Sequence, residues 1–381
     1  MLVLVPVVSA QAPMPEKDAT PVGGKAPVTA EQIADYGKKL AEYSEARQKF
    51  ENVAGPYWAS VAAKRKARNV KRSSGQAVVL EDYVLTQPPV YAGPPKPADP
   101  SAVEAETPPR TLPVVADFLA NALSEFQFEP RKAESEIEFK KAYAKAAAAA
   151  GLTRDQAVRI YAFEAGGNGK YDVQAGLEYD RPGAHAISTA LGYNQLLTTN
   201  SVELLAEQGD QFVKSLQGRV ARMTGPQKAE LERKISVLKS MILYSRSVPD
   251  RWDAHEQLAA TSKGLGIHAL NLDLDVGPLL QTQKLVTSVN FAKAKGYSIP
   301  LTAAELEMMN LTGDGNGFDM VSMPQAIRPQ VPTSNFFARS GYERNSVAIR
   351  NNVVSALLAA TDKKMDIEAE LPGARDLAAA F

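Results

Sequence analysis

Between Gln87 and Pro113 the chain places nine prolines within 27 residues, at positions 88, 89, 94, 95, 97, 100, 108, 109 and 113. Proline fixes φ and has no N–H to donate, so such a stretch can be neither a helix interior nor a central strand. It reads as an extended linker and sets the expected organisation of the chain. Residues 1–28 form a signal-like N-terminus, 29–83 a helical arm with a basic segment, 84–113 the linker, and 114–381 the main domain.

On both sides of the linker the apolar residues recur at three, four and seven. Thr29-Ala30-Glu31-Gln32 has the spacing of a capping box, in which a hydroxyl and a side-chain amide satisfy the first free N–H groups of a helix. Ile33, Tyr36, Leu40, Tyr43 and Phe50 then share one face, and Gly55-Pro56 is the expected end of that helix. Beyond the linker, helices are predicted over 114–126, 134–150, 153–165, 200–216, 226–246, 279–295, 303–310 and 344–360. Alternating apolar and polar runs are nearly absent and no internal repeat is visible. The expected class is mainly α.

Composition narrows the chemistry. There are no cysteines and only three histidines, which excludes thiolate catalysis, disulfides and Cys-ligated metal sites and disfavours histidine-rich ones. Forty-three basic residues balance 43 acidic ones, so a protein that coats nucleic acid is not expected. Six of the nine residues from Lys64 to Arg72 are basic, which reads as a solvated helix face or, failing that, a contact for an anionic partner. The apolar run Leu2–Val8 followed by Ala10 and Ala12 resembles a signal peptide lacking its basic start, with cleavage expected after Ala12 and export to the periplasm. No apolar run is long enough for a membrane span.

The segment from Gln156 to Leu197 carries the chemistry. A helix reading Ala157-Val158-Arg159-Ile160-Tyr161-Ala162-Phe163-Glu164 breaks at Gly166-Gly167-Asn168-Gly169. Glu164 shares a face with Ala157, Ile160 and Tyr161 and sits at the negative end of the helix. Desolvation and the dipole both disfavour the carboxylate, giving a carboxyl suited to general acid catalysis near neutral pH. Ser188, Thr189, Asn194 and Gln195 offer neutral donors and acceptors of the kind sugar hydroxyls and acetamido groups need. Tyr193 and Tyr179 are candidate stacking rings, and Gly192 and the glycines after Glu164 allow close approach of backbone to a ligand.

Phe163-Glu164-Ala165-Gly166-Gly167-Asn168 resembles the Glu-Ser-Gly-Gly-Asn stretch of soluble lytic transglycosylases and related phage-type lysozymes. Ala190, Gly192 and Gln195, preceded by Ser188-Thr189, resemble that family's Ala-x-Gly-x-x-Gln segment. The resemblance implies a lysozyme-like helical domain in which Glu164 is the catalytic acid. It implies that Asn168, Ser188, Thr189, Gly192, Tyr193, Asn194, Gln195 and, from a late helix, Tyr342 contact the saccharide. The implied substrate is the MurNAc–GlcNAc β-1,4 bond of peptidoglycan strands, with no cofactor and no metal. The chain departs from the family at Ala165, at Tyr193-Asn194 and in the long loop from Lys170 to Ala186.

A two-carboxylate lysozyme needs a second acid, for which Asp172, Glu178 and Asp180 are the candidates. A lytic transglycosylase needs none, because the substrate's own hydroxyl attacks the developing cation, and that single-carboxylate reaction is the expected one. The alternative is a non-catalytic peptidoglycan-binding or scaffold protein on the same fold. A third possibility is an adaptor acting through the basic segment. Asp314-Gly315-Asn316-Gly317-Phe318-Asp319 lacks the remaining ligands of a calcium loop and is expected to be a Gly-rich turn.

Overall fold

The computed structural model describes residues 28–101, 112–177 and 182–381. The expected signal segment, most of the second half of the proline stretch, and Glu178, Tyr179 and Asp180 lie outside these residues. Among them the protein is mainly helical, without β-strands beyond isolated bridges. The helices are α1 (Ala30–Ser73), α2 (Val115–Phe126), α3 (Glu136–Ala149), α4 (Arg154–Glu164) and α5 (Thr198–Val220). They continue with α6 (Pro226–Ser245), α7 (Trp252–Ala259), α8 (Ser262–His268), α9 (Gly277–Ala294), α10 (Ala303–Thr312) and α11 (Asp314–Val321). The last are α12 (Arg339–Arg344), α13 (Ser346–Arg350), α14 (Val354–Ala369) and α15 (Pro372–Ala379). Among the described residues no helix is long and apolar enough to cross a membrane.

The chain divides into a small unit within Met1–Glu51 and Tyr91–Thr107 and a large one within Asn52–Val90 and Pro108–Phe381. In the small unit Tyr43 and Phe50 meet Tyr91 edge-on at 6.3 and 5.4 Å, and the Arg47 guanidinium lies 5.0 Å from the Phe50 ring.

Two expectations about the N-terminal part are corrected. The first helix does not stop at Gly55-Pro56 but runs through Pro56 to Ser73. Nor is residues 29–83 a separate arm: from Asn52 onward it belongs to the large unit. The basic segment is consumed there. Arg68 is fully buried, with Nε donating to Asp319 at 2.8 Å and the guanidinium 4.3 Å over the Tyr83 ring. Arg72 pairs with the same carboxylate, Lys71 with Asp82, and Arg65 donates to the carbonyls of Asn335 and Phe337. Sequence charge alone reads as solvated because its partners stand as many as 272 residues away. The expected Gly-rich turn at Asp314 is instead the start of α11, which delivers Asp319 to Arg68.

The large unit has two apolar cores. One gathers Phe139, Tyr143, Ile160, Tyr161, Leu306, Met309, Leu357 and Met365 from α3, α4, α10 and α14. The other gathers Phe118, Leu205, Leu216, Ile235, Leu238 and Ile267 from α2, α5, α6 and α8. Helix α9 feeds both, Leu285 to the first and Leu280 to the second. The loop before α5 does the same, with Tyr193 in the first core and Leu191 and Leu196 in the second. That loop is therefore pinned where the cores meet, and the candidate site lies beside it.

Candidate active site at the end of α4

Helix α4 begins with the capping box expected from its sequence. Gln156 N–H donates to Thr153 Oγ1 at 3.1 Å and Thr153 N–H to Gln156 Oε1 at 3.0 Å, a cap worth about 1 kcal/mol. Ala157, Ile160 and Tyr161 are buried on its inner face and carry Glu164, the last helical residue, to the boundary of the core. Gly166 and Gly167 then turn the chain with positive φ. A Cβ at Gly167 would strike the Glu368 carbonyl and the Leu371 side chain, so this glycine serves the approach of α14 to the turn.

Two cavities meet at Glu164. The larger, about 570 Å³, runs past Gln195, Asn200, Glu203, Glu207, Trp252, Lys284 and Asp314. The smaller, about 410 Å³, is walled by Phe163, Asn168, Gly169, Val173, Lys364 and Glu368. Glu164 and Gln195 line both. Gln195 adopts φ 45°, a left-handed backbone uncommon for a residue with a side chain. Its Nε2 donates to the Gly192 carbonyl at 2.8 Å, which holds the side chain at the junction.

Sequence reading missed the partner of Glu164. Glu307, in the middle of α10 and 1% exposed, shares a side-chain hydrogen bond with it. Asn310, one turn further on, donates Nδ2–H to Glu164 Oε1 at 3.0 Å. Burial raises both carboxyls above the usual range, and the Glu164 charge pushes Glu307 further up. Two carboxylates in contact away from water cannot both ionise, so the pair keeps a proton. The proton rests preferentially on Glu307, the more deeply buried of the two. Glu164 is the member that faces the cavities. The Lys364 ammonium, 4.2 Å over the Phe163 ring, tempers the upward shift of Glu164.

The remaining predicted contacts fall into two groups. Asn168 lines the smaller cavity, and its Oδ1 accepts from Gly373 N–H at 3.0 Å. Asn194 lines the larger, but it is 2% exposed and its side chain is occupied: Nδ2 donates to the Gln281 carbonyl at 2.7 Å and to Tyr143 Oη at 3.0 Å. Tyr193 is a correction, since it is fully buried among Phe139, Tyr143 and Tyr161 and its hydroxyl donates to Glu136. It cannot stack on a sugar.

Tyr342 is corrected likewise, being 4% exposed and packed 5.6 Å from Trp58 and 6.1 Å from Phe337. Gly192 lines neither cavity and packs against Gln281, where a Cβ would stand 2.6 Å from Nε2. Ser188 and Thr189 wall neither cavity. Ser188 Oγ accepts from Ala190 N–H at 2.9 Å, and Thr189 Oγ1 accepts from Thr198 N–H at 3.3 Å.

His268 Nε2 lies 2.9 Å from the Thr189 carbonyl and Nδ1 2.8 Å from Ser201 Oγ. Burial holds this imidazole at about 4, so it is neutral, donating to the carbonyl and accepting from the serine. These residues brace the loop that positions Gln195. Asp172 is exposed and outside both cavities. Among the described residues no three His, Cys, Asp or Glu side chains are grouped to hold a metal ion. No protein-family model matches the chain, and comparisons with curated proteins and with solved structures give no match either.

Proposed function

We propose that this protein is an exported, peptidoglycan-cleaving enzyme of the lytic transglycosylase type, with a lysozyme-like domain and Glu164 as its acid and base. The observation that carries the reading is the paired carboxyl at the junction of two cavities: Glu164 lines both, while its partner Glu307 is buried behind it. A glycan strand crossing Gln195 would lay a scissile bond against Glu164. The shared proton passes through Glu164 to the leaving oxygen, and the strand breaks with positive charge developing on the sugar. Both carboxyls are then ionised in contact, a costly state. Its relief drives Glu164 to take the proton of the substrate's own hydroxyl as that oxygen closes on the cation. The pair thus serves as acid and then as base with one carboxyl reaching the substrate.

The test is Glu164→Gln on purified peptidoglycan. Glycan release should fall by at least about 100-fold, the lower end of what general acid catalysis contributes, with binding to the sacculus retained. Turnover within tenfold of wild type would remove Glu164 from the role. Retained binding with no cleavage by the wild-type chain would point to a non-catalytic peptidoglycan-binding protein.

A further inference from the structure

The larger cavity contains an aromatic side chain that the proposed reaction leaves unused. Trp252, the first residue of α7, is 44% exposed and forms part of the cavity wall that also includes Glu164. A lone exposed apolar side chain on a convex surface needs no explanation. An indole in a concave wall among uncommitted polar groups has the make-up of a ligand site. Lys284 and Glu207, in the same wall, make no ion pair among the described residues. Thr287 Oγ1, also in the wall, is shielded from solvent and has no hydrogen-bond partner.

We infer that this wall is a pyranose subsite, in which the Trp252 indole stacks on the apolar face of an N-acetylated amino sugar one or more units from the scissile bond. The choice of a sugar rests on the glycan-cleaving role proposed for Glu164. The remaining wall chemistry fits the same ligand: Glu203 and Glu207 accept from hydroxyl and amide N–H groups, and Lys284 donates to an acetamido carbonyl. A flat apolar face bordered by both donors and acceptors matches a ring that is apolar above and polar around its edge.

The chain has two tryptophans, and the other, Trp58, is partly buried against Tyr342, so fluorescence separates them. The experiment titrates the full chain carrying Glu164→Gln, which cannot turn over, with N-acetylglucosamine tetramer, and follows tryptophan emission and binding heat. Saturable binding with an emission change is expected. Adding Trp252→Ala should abolish the emission change and weaken affinity about tenfold, the size of one lost aromatic contact. Trp252→Phe should recover most of the affinity, and Trp58→Phe should leave the emission change in place. If Trp252→Ala lowers the melting temperature, Lys284→Met, which keeps the indole, should still weaken binding.

Tetramer binding unchanged by Trp252→Ala and Lys284→Met, or no tetramer binding at all, overturns the subsite. The two ideas fail separately. Trp252-dependent binding by a chain whose wild type cleaves nothing removes the catalytic role alone, and Glu164-dependent cleavage indifferent to Trp252 removes the subsite alone.

Discussion

Two of the places where the protein buries charge treat it in opposite ways. At α11, Asp319 is 1% exposed and meets Arg68, Arg72 and the Tyr83 hydroxyl. Every group there faces an opposite charge or a hydrogen-bond partner. At the end of α4, Glu164 meets a second carboxyl, Glu307, with which it shares a hydrogen bond. One cluster has its charges paired, whereas the other sets two carboxyls that share a proton beside open space. A saturated buried pair holds elements together; a frustrated one holds a proton that can be given away and taken back. On the proposed reading, the contrast separates a cluster that holds helices together from one that exchanges a proton with substrate.

Removing residues 1–113 is the severest test of that contrast. It deletes Arg68, Arg72 and Tyr83, leaving Asp319 buried without a counter-charge, and should abolish cooperative melting in circular dichroism. A truncated chain that melts sharply would show that the basic helix is peripheral after all. Next, Asp319→Ala strands a fully buried guanidinium and should cost about 3–5 kcal/mol in denaturant unfolding. A loss under 1 kcal/mol would mean that Arg68 has found water.

Glu307→Gln should act in the other direction. Because the folded pair holds protons that the unfolded chain releases near pH 4.3, the folded state is fully favoured below that value and loses stability as pH rises. The variant should therefore gain stability over wild type between pH 5 and pH 8, each unit of relieved shift being worth about 1.4 kcal/mol. Its alkaline limb of glycan cleavage should move to lower pH, because the last proton then sits on Glu164, which is raised less than Glu307. An unchanged limb would show that the two carboxyls titrate independently. The smallest effect is expected from Gln195→Gly: relief of the left-handed backbone offsets the lost side-chain bond, leaving stability within about 1 kcal/mol. Cleavage should still drop if Gln195 holds the strand.

The helical class and the bounds of α2, α3, α4, α6, α9 and α10 were legible because caps and apolar spacing are local signals, whereas the one helix expected over 344–360 is broken at Asn345 and Asn351. The box at Thr153-Gln156, Pro226 at the start of α6, and Gly151 after α3 each mark a helix end within a residue or two. The placing of Glu164 at the end of a buried helical face was legible for the same reason. Glu307 gave that signal too, standing in Leu306-Glu307-Met308-Met309, but its meaning depends on a partner 143 positions away. Tyr193 misled because an aromatic between polar residues in a glycine-containing loop looks exposed. Only the packing of Phe139, Tyr143 and Tyr161 around it shows otherwise. The basic segment failed likewise, since charge density says nothing of whether α11 and the loop at Asn335 fold back onto it.

The most direct measurement is the mass of the fragments released from purified peptidoglycan by the wild-type protein and by Glu164→Gln. If one carboxyl reaches the substrate and acts as acid and then as base, wild-type fragments end in anhydro sugars one water lighter than hydrolysed ones, and the variant releases none. Equal release by both proteins would show that the Glu164–Glu307 pair does not perform the reaction. Fragments carrying the added water would show instead that the reaction is hydrolysis.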